Sequence, residues 1–304
     1  MKKALIAILL VLSVLSAAAQ DTLSDDARVR RNVKIVLGTE ATLYAASMTG
    51  LYFAWYADYP QSSFHFYNDN AEWQQMDKIG HATTSYLVGS FGYEFLRDAG
   101  LDEKRSIWYG GTLGLAFLTT VEVFDGFSSG WGFSWGDMIA NTLGAGLFIG
   151  QQALWHEQRI TLKYSFHTTH FPDYRPDLLG ENFIQQTIKD YNGQTYWASF
   201  NIKSMFCNKE SKFPAWLNFA FGYGASGMVS AFDNQSYTFQ GTPTSPLFDR
   251  QSRFLFSLDV DFTKIPTNNK VLKYTFKVLN IFKVPFPTIE YSSVNGWGWY
   301  WMYF

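Results

Sequence analysis

The chain has 304 residues and a formal net charge of −2, with 19% aromatic and only 16% charged residues. Without net positive charge there is no electrostatic case for binding nucleic acid. Typical soluble domains have about 25% charged residues. The low charge and the many aromatic rings therefore favour membrane lipid as a partner.

The first 19 residues predict a secretory signal peptide. Lys2 and Lys3 precede an apolar run at 4–15, and residues 16–19 are small enough for cleavage. Cys207 is the only cysteine. Because eukaryotic secreted domains of this size usually carry disulfides, the predicted destination is a bacterial envelope, either the outer membrane or the periplasm. An uncleaved anchor is the alternative, although the apolar run is short for a membrane span.

Residues 20–157 are predicted to form a helical module. Gly110-x-x-x-Gly114 and Gly146-x-x-x-Gly150 have the spacing that lets helix backbones approach closely, especially in membranes. This pattern favours a membrane-embedded bundle, and a compact water-soluble bundle is the alternative. Apolar segments of about 20 residues, the length that crosses a bilayer core, lie at 33–57, 74–98, 104–124 and 135–155.

Residues 158–304 are predicted to form an antiparallel β region, which makes the fold class α+β, because polar and apolar residues alternate. The alternation and the aromatic residues resemble part of an outer-membrane barrel. About five or six strands are too few for a closed barrel, which needs at least eight. The sheet could close around the helices, close by oligomerising, or stay open beside the bundle. A soluble sheet with an aromatic face is a further alternative.

Polar residues interrupt the apolar helices in two blocks. Asp77 and His81 are four residues apart and share one helix face, as do Glu122 and Asp125, which are three apart. Up-down packing brings the 122–137 connection to the same end as the start of the second apolar helix, so we expect one shared site. The candidate catalytic residues are Asp77, His81, Glu122, Asp125 and Asp137, and the candidate ligand-binding residues are Lys78, Ser134 and Asn141.

Charges in apolar surroundings are costly unless they pair, bind an ion or take part in chemistry. One hypothesis is a metal held by His81, Glu122 and Asp137. A second is acid–base hydrolysis, with His81 oriented by a carboxylate and with water or Ser134 as nucleophile. A third is a pocket for a ligand headgroup at the bilayer interface. The structural alternative makes Ser134 a helix cap, Asp137 a partner of the helix dipole and Lys78 a salt-bridge partner.

The blocks that carry these residues resemble an uncharacterised family described as predicted periplasmic lipoproteins (YfiM-like). The first three blocks are also similar to VanZ-like membrane proteins, which share D-K-x-x-H, a later Glu and a D-x-x-x-N helix. The resemblance implies an envelope location and equivalent motif positions, but no established reaction. The sequence leaves any cofactor unknown. Cys207 is far from the signal peptide, so the lipoprotein part of the description does not transfer. The blocks lie at 77–81, 122–126, 134–144 and 189–197.

The sequence therefore predicts an exported envelope protein, associated with the outer membrane, that binds a lipid or glycan headgroup or a protein partner. The alternative is a hydrolase or a metal-dependent enzyme that acts on a phosphorylated lipid or cell-wall precursor. That alternative requires Asp77, His81, Glu122 and Asp137 to converge beside an accessible pocket. The oligomeric state is left open.

Overall fold

The structure is a computed structural model that describes residues 25–57, 59–208, 210–234, 238–239, 242–243 and 248–303. The predicted signal peptide lies outside the described residues. The predicted α+β class is confirmed, because helices precede a six-stranded antiparallel sheet. The sheet is not closed into a barrel, since its two edge strands do not pair with each other.

The first half of the structure is helical. The predicted third helix divides at Thr112, where one helix ends and the next begins. Among the described residues, the stretch Glu103–Gly126 is long and apolar enough to cross a membrane, a criterion that the core helix of a soluble protein also meets. The helices are α1 (Asp25–Leu51, extended by a π-helical turn at Tyr52–Tyr56), α2 (Met76–Asp98), α3 (Glu103–Gly111), α4 (Leu113–Gly126) and α5 (Trp135–Trp155).

Helix α2 lies at the centre of the bundle and touches its neighbours at the backbone. A Cβ atom on Gly114 of α4 would lie 2.1 Å from the carbonyl oxygen of Ser85 in α2. A Cβ atom on Gly144 of α5 would lie 2.0 Å from the carbonyl oxygen of Ala82. Glycine is therefore required at both crossings, and it brings three helices into direct backbone contact.

The two predicted glycine pairs behave differently. Gly110 and Gly114 both face α2, since a Cβ on Gly110 would lie 2.2 Å from a backbone nitrogen of that helix. A Cβ atom on Gly146 or Gly150 would meet nothing within 4 Å. The second pair was therefore wrongly expected to pack closely, and Gly144 makes the contact of α5 instead.

The entry to α2 is a strained turn. Trp73, Gln74 and Gln75 have φ values of 46°, 51° and 67°, in the left-handed region that side chains other than glycine rarely adopt. The Trp73 N–H donates to the carbonyl of Ala231 at 2.8 Å, and the hydroxyl of Tyr223 donates to the carbonyl of Gln74 at 2.7 Å. The sheet region thus holds the turn that begins α2.

The second half contains a strongly curved sheet in the order β1-β2-β3-β6-β7-β8. The edge strand β8 approaches β2, the neighbour of the other edge strand, because the hydroxyl of Tyr303 lies 3.1 Å from that of Thr195. The outer side of β1 and β2 packs on the helices, where Tyr86 of α2 donates to the carbonyl of Ile160. The strands are β1 (Ile160–Phe166), β2 (Gln194–Asn201), β3 (Leu217–Ser226), β4 (Thr238–Phe239), β5 (Thr242–Pro243), β6 (Gln251–Val260), β7 (Phe286–Ser292) and β8 (Gly296–Tyr303), with β4 and β5 forming a separate pair.

Short helices connect the strands. The predicted turn at Asn192-Gly193 is present and leads directly into β2. These helices are α6 (Pro176–Leu179), α7 (Phe183–Lys189), α8 (Ile202–Phe206) and α9 (Lys270–Leu279).

Alanine substitutions in α5 test the packing of the bundle. Gly144→Ala should lower the free energy of unfolding by about 1–3 kcal/mol, the usual range for an overpacked core. Gly146→Ala is the matched control and should be neutral or stabilising by up to about 1 kcal/mol, because it replaces an exposed helical glycine. Chemical denaturation of both variants measures the difference. Equal effects would show that α5 does not approach α2 as described.

Candidate functional site

Lys78 holds the start of α2 through three carboxylates. Its Nζ atom lies 2.7 Å from Asp69, 2.8 Å from Asp137 and 3.4 Å from Asp77. The lysine is buried, and its partners come from the loop before α2, from α2 itself and from α5. This ion pair network therefore fastens three segments at one point.

His81 lies one turn further along α2, among the other predicted residues. Its Nδ1 atom is 3.1 Å from Oδ1 of Asn141 and 3.6 Å from Oε1 of Glu122. Its Nε2 atom is 3.8 Å from Oδ1 of Asp77, which also accepts a hydrogen bond from the hydroxyl of Tyr191 at 2.7 Å. The convergence that the sequence predicted from topology is present in the structure.

Ser134 caps α5 and has no accessible hydroxyl. Its Oγ accepts a hydrogen bond from the N–H of Asp137 at 3.1 Å and donates to Asp69 at 2.6 Å. Its own N–H donates to Oε2 of Glu122 at 3.1 Å. Ser134 is 1% exposed, so its hydroxyl is held in the cap and is poorly placed to act as a nucleophile.

Asp125 stands apart from this network, at the end of α4. Oδ1 of its carboxylate accepts a hydrogen bond from the hydroxyl of Tyr56 at 2.7 Å. The carboxylate lies beside the same cavity as Asp77 and His81.

A cavity of about 350 Å³ opens above the cluster. Its acidic floor is formed by Asp69, Asp77, Asp125 and Asp137, with His81 beside them. Glu122, Lys78, Ser134 and Asn141 do not line the cavity and support the floor from behind. The ammonium of Lys189 lies 5.1 Å from the centre of the Trp55 ring. The other aromatic residues of the wall are Tyr56, Tyr67, Trp73, Phe117, Trp131, Tyr191 and Tyr196.

The site contains more negative than positive groups. In the cluster, two cationic groups, Lys78 and His81, lie near five carboxyl groups, those of Asp69, Asp77, Glu122, Asp125 and Asp137. The cavity lining adds one group of each sign, Glu72 and Lys189. Burial, and after it the repulsion of other carboxylates, raises the pKa of Glu122 to about 8 and those of Asp125 and Asp137 to about 7. These groups therefore hold protons near neutral pH unless another cation replaces them.

Asp77 and His81 form the charged pair of the floor. Burial opposes charge on both, but His81 and Lys78 outweigh it at Asp77 and keep the pKa of that carboxyl below its ordinary value. Asp77, Asp137 and Glu122 likewise outweigh burial at His81 and raise the pKa of its imidazole. The two side chains thus stabilise each other's ionised form.

Three residues of the floor are close enough to share a metal ion. One ligand atom each from Asp77, His81 and Asp137 lies within 4.8 Å of the other two. Calcium–oxygen bonds of roughly 2.3–2.6 Å put ligands on opposite sides of an ion about 5 Å apart. The spacing fits a divalent cation, with Asp77 in the place that the sequence-based hypothesis gave to Glu122.

Comparison with protein families gives one result for this region. Residues 65–150 match a family described as "Predicted periplasmic lipoprotein (DUF2279)". The matched segment is less than a third of the chain, yet it includes every predicted site residue. The description supports the predicted exported, envelope location. No curated protein and no solved structure matches the chain.

Several residues of the site were not predicted. Asp69 and Tyr56 come from irregular or π-helical segments, where no periodic pattern marks a shared face. Tyr191 lies in the 167–195 linker, whose predicted role was structural. Part of that linker is structural, since the ring of His170 packs 4.3 Å from that of Phe171. The sequence did contain one signal for Tyr191, a polar stretch at 189–192 that begins at the end of α7.

The raised pKa of Glu122 predicts a pH-dependent stability. The folded state holds this proton more tightly than the unfolded state, so the stabilisation is complete below about pH 4.5 and is lost as the pH rises through about 8. The melting temperature without divalent cations should therefore fall between pH 5.5 and 8. Glu122→Gln keeps the acceptor for Ser134 and should reduce that fall by about 3 °C or more.

The matched control is Glu181→Gln, which changes an exposed carboxylate. Its melting curve should follow the wild type at every pH. The assignment of the buried proton to Glu122 is wrong if Glu122→Gln and wild type lose stability in parallel.

Proposed function

We propose that this is an envelope protein, associated with the outer membrane, whose pocket binds a divalent cation and, through it, the phosphorylated headgroup of a lipid or glycan. The observation that carries the proposal is the convergence of Asp77, His81 and Asp137 at the floor of an aromatic-walled cavity.

The charge balance favours a cation. Buried carboxylates must be paired, protonated or bound to a metal. Lys78 pairs with three of the five. Burial, and after it the repulsion of neighbouring carboxylates, raises the pKa values of Glu122 and Asp137. A carboxylate has about four lone-pair positions, so Asp137 can accept Lys78 and still bind an ion. A divalent cation would replace the protons that the site holds near neutral pH.

The cavity wall favours an anionic, partly apolar ligand. Its volume of about 350 Å³ falls within the range of small-molecule sites. A phosphate would be repelled by the acidic floor alone, and a bound divalent cation reverses that repulsion. The Lys189 ammonium at the wall adds a second positive group, and rings such as Trp55 and Trp131 offer flat surfaces to a sugar or glycerol unit.

A second candidate function is hydrolysis of such a ligand. Asp125 lines the cavity, and burial raises its pKa to about 7, near the value that suits a general base at neutral pH. In this mechanism Asp125 would take a proton from the water that attacks phosphorus, and the bond from phosphorus to the leaving oxygen would break. A cation held by Asp77, His81 and Asp137 would stabilise the charge on the phosphoryl oxygens.

Titration with Mn²⁺ tests the proposed site. Detergent-purified protein, stripped with EDTA, should bind one equivalent of Mn²⁺ by calorimetry at pH 7.5. Asp77→Asn should weaken the affinity at least tenfold, because it removes a charged ligand and keeps the acceptor for Tyr191. The wild-type affinity should also fall as the pH is lowered from 7.5 to 5.5, because protons compete with the metal.

The headgroup is tested in the same titration with glycerol 3-phosphate as the probe. It should bind to the Mn²⁺-loaded wild type and not to the stripped protein. Glu181→Gln should behave as wild type throughout. Equal Mn²⁺ affinity in Asp77→Asn and wild type would refute the metal site, and a probe that ignores the metal would refute the bridging role.

A further inference from the structure

Four strands of the sheet, β3, β6, β7 and β8, carry their charged residues on the inner side and many apolar residues on the outer side. β3, β6, β7 and β8 together contain only three charged residues: Arg253, Asp259 and Glu290. All three point to the inner side and are buried. The alternate side chains of these strands point outward, and many of them are apolar and exposed, as at Phe254, Phe256 and Leu258. A soluble antiparallel sheet places its apolar residues on the core side and its polar residues towards water.

The inner side of the sheet encloses a core that contains buried polar and charged side chains. The Lys163 ammonium lies 2.8 Å from Asp259, and both side chains are fully buried. Ser199 donates a hydrogen bond to the same carboxylate at 2.6 Å, and Tyr300 donates to Glu290 at 3.3 Å. Glu290 also lies 3.8 Å from Arg253, and turning the inner side of the sheet to water would break these contacts.

The outer side carries continuous apolar rows. The strand register places Phe221 beside Phe256, Phe256 beside Ile289 and Ile289 beside Trp299. A second row runs beside the first, through Phe254 and the residues paired with it on the neighbouring strands. Aromatic rings also contact each other across strands, and the ring centres of Phe221 and Phe256 are 5.1 Å apart. We define the aromatic face as the outward side of β3, β6, β7 and β8.

The helices cover only one part of this outward side. Over β1 and β2 the same side packs on α2, where Leu162 joins the core of Tyr86 and Phe148, and the hydroxyl of Tyr196 lies against Gly80. Tyr223 of β3 still contacts the turn before α2 through its hydrogen bond to Gln74. Beyond that contact, many outward apolar side chains of β6, β7 and β8 are exposed. Phe254 is 54% exposed and Trp297 is 77% exposed.

We propose that the aromatic face lies against the acyl chains of a bilayer. Its outward positions carry no charge, which matches uncharged hydrocarbon and leaves nothing to orient a charged protein partner. An apolar outer side over a polar inner side is the alternation of strands in outer membranes. The inference deepens the proposed outer-membrane association and is independent of what the pocket binds.

Quenching by lipid nitroxides tests the aromatic face. On a Cys207→Ser background, single cysteines replace Phe256 or Tyr291 on the face, and Lys212 in an exposed loop as control. Each is labelled with bimane, and the full chain is reconstituted into phosphatidylcholine vesicles that contain nitroxides on the acyl chains. Labels at 256 and 291 should lose at least half of their fluorescence, and the label at 212 should be unaffected.

A charge on the face gives an independent readout. Phe256→Lys should reduce co-flotation of the protein with the vesicles at least tenfold, while Phe232→Lys, which changes an exposed phenylalanine outside the sheet, should float as wild type. Circular dichroism and a cooperative thermal transition confirm that each variant is folded.

Different failures have different meanings. Wild-type protein that does not float with vesicles would refute the proposed membrane association itself. Protein that floats while position 256 is quenched no more than position 212 would refute only the aromatic face. Labels at 256 that are shielded from both the lipid nitroxides and aqueous iodide, and that cross-link between copies, would overturn the proposal in favour of a dimer.

Discussion

The buried ammonium of Lys78 is the interaction on which the site depends. It binds carboxylates from the loop before α2, from α2 and from α5, so it determines where these segments meet. The fit is tight: a Cβ on Gly136 would lie 2.9 Å from the Cε of Lys78. One lysine cannot neutralise the carboxylates around it, even with His81. Burial, and after it the repulsion between carboxylates, raises the pKa values of Glu122, Asp125 and Asp137, and a further cation would balance the remaining negative charge.

Helix α2 connects this site to the rest of the protein. Glycine contacts with α4 and α5 bring those helices close enough for Glu122 and Asp137 to reach the start of α2. On the other side, Tyr191 and Tyr196 join the sheet region to the pocket wall. The pocket therefore lies between the helices and the sheet. This position suits the proposed ligand, whose headgroup would enter the cavity while its apolar part stays beside the outer side of the sheet.

Much of this arrangement could be predicted from local patterns. The four-residue spacing of Asp77 and His81 predicted that they share a helix face. The position of Ser134, three residues before Asp137, predicted the helix cap. The alternation of polar and apolar residues predicted the strands. Asp69, Tyr56 and Trp73 were missed because they lie in irregular turns whose shape depends on contacts with distant segments. The behaviour of Gly146 and Gly150 was also beyond sequence reasoning, because a spacing of four does not say which side of α5 faces a neighbour. Which side of the sheet is buried likewise depends on the position of the helices.

The central claim is that Asp77, His81 and Asp137 form one cation site at the floor of the pocket. The most direct measurement is the anomalous scattering of crystals of the full chain grown with Mn²⁺. We expect a single strong anomalous peak within bonding distance of all three side chains, with Lys78 still bound to Asp69. The metal site would be contradicted if the density showed these three side chains in direct contact with each other and with Lys78, and the metal peak lay elsewhere or was absent.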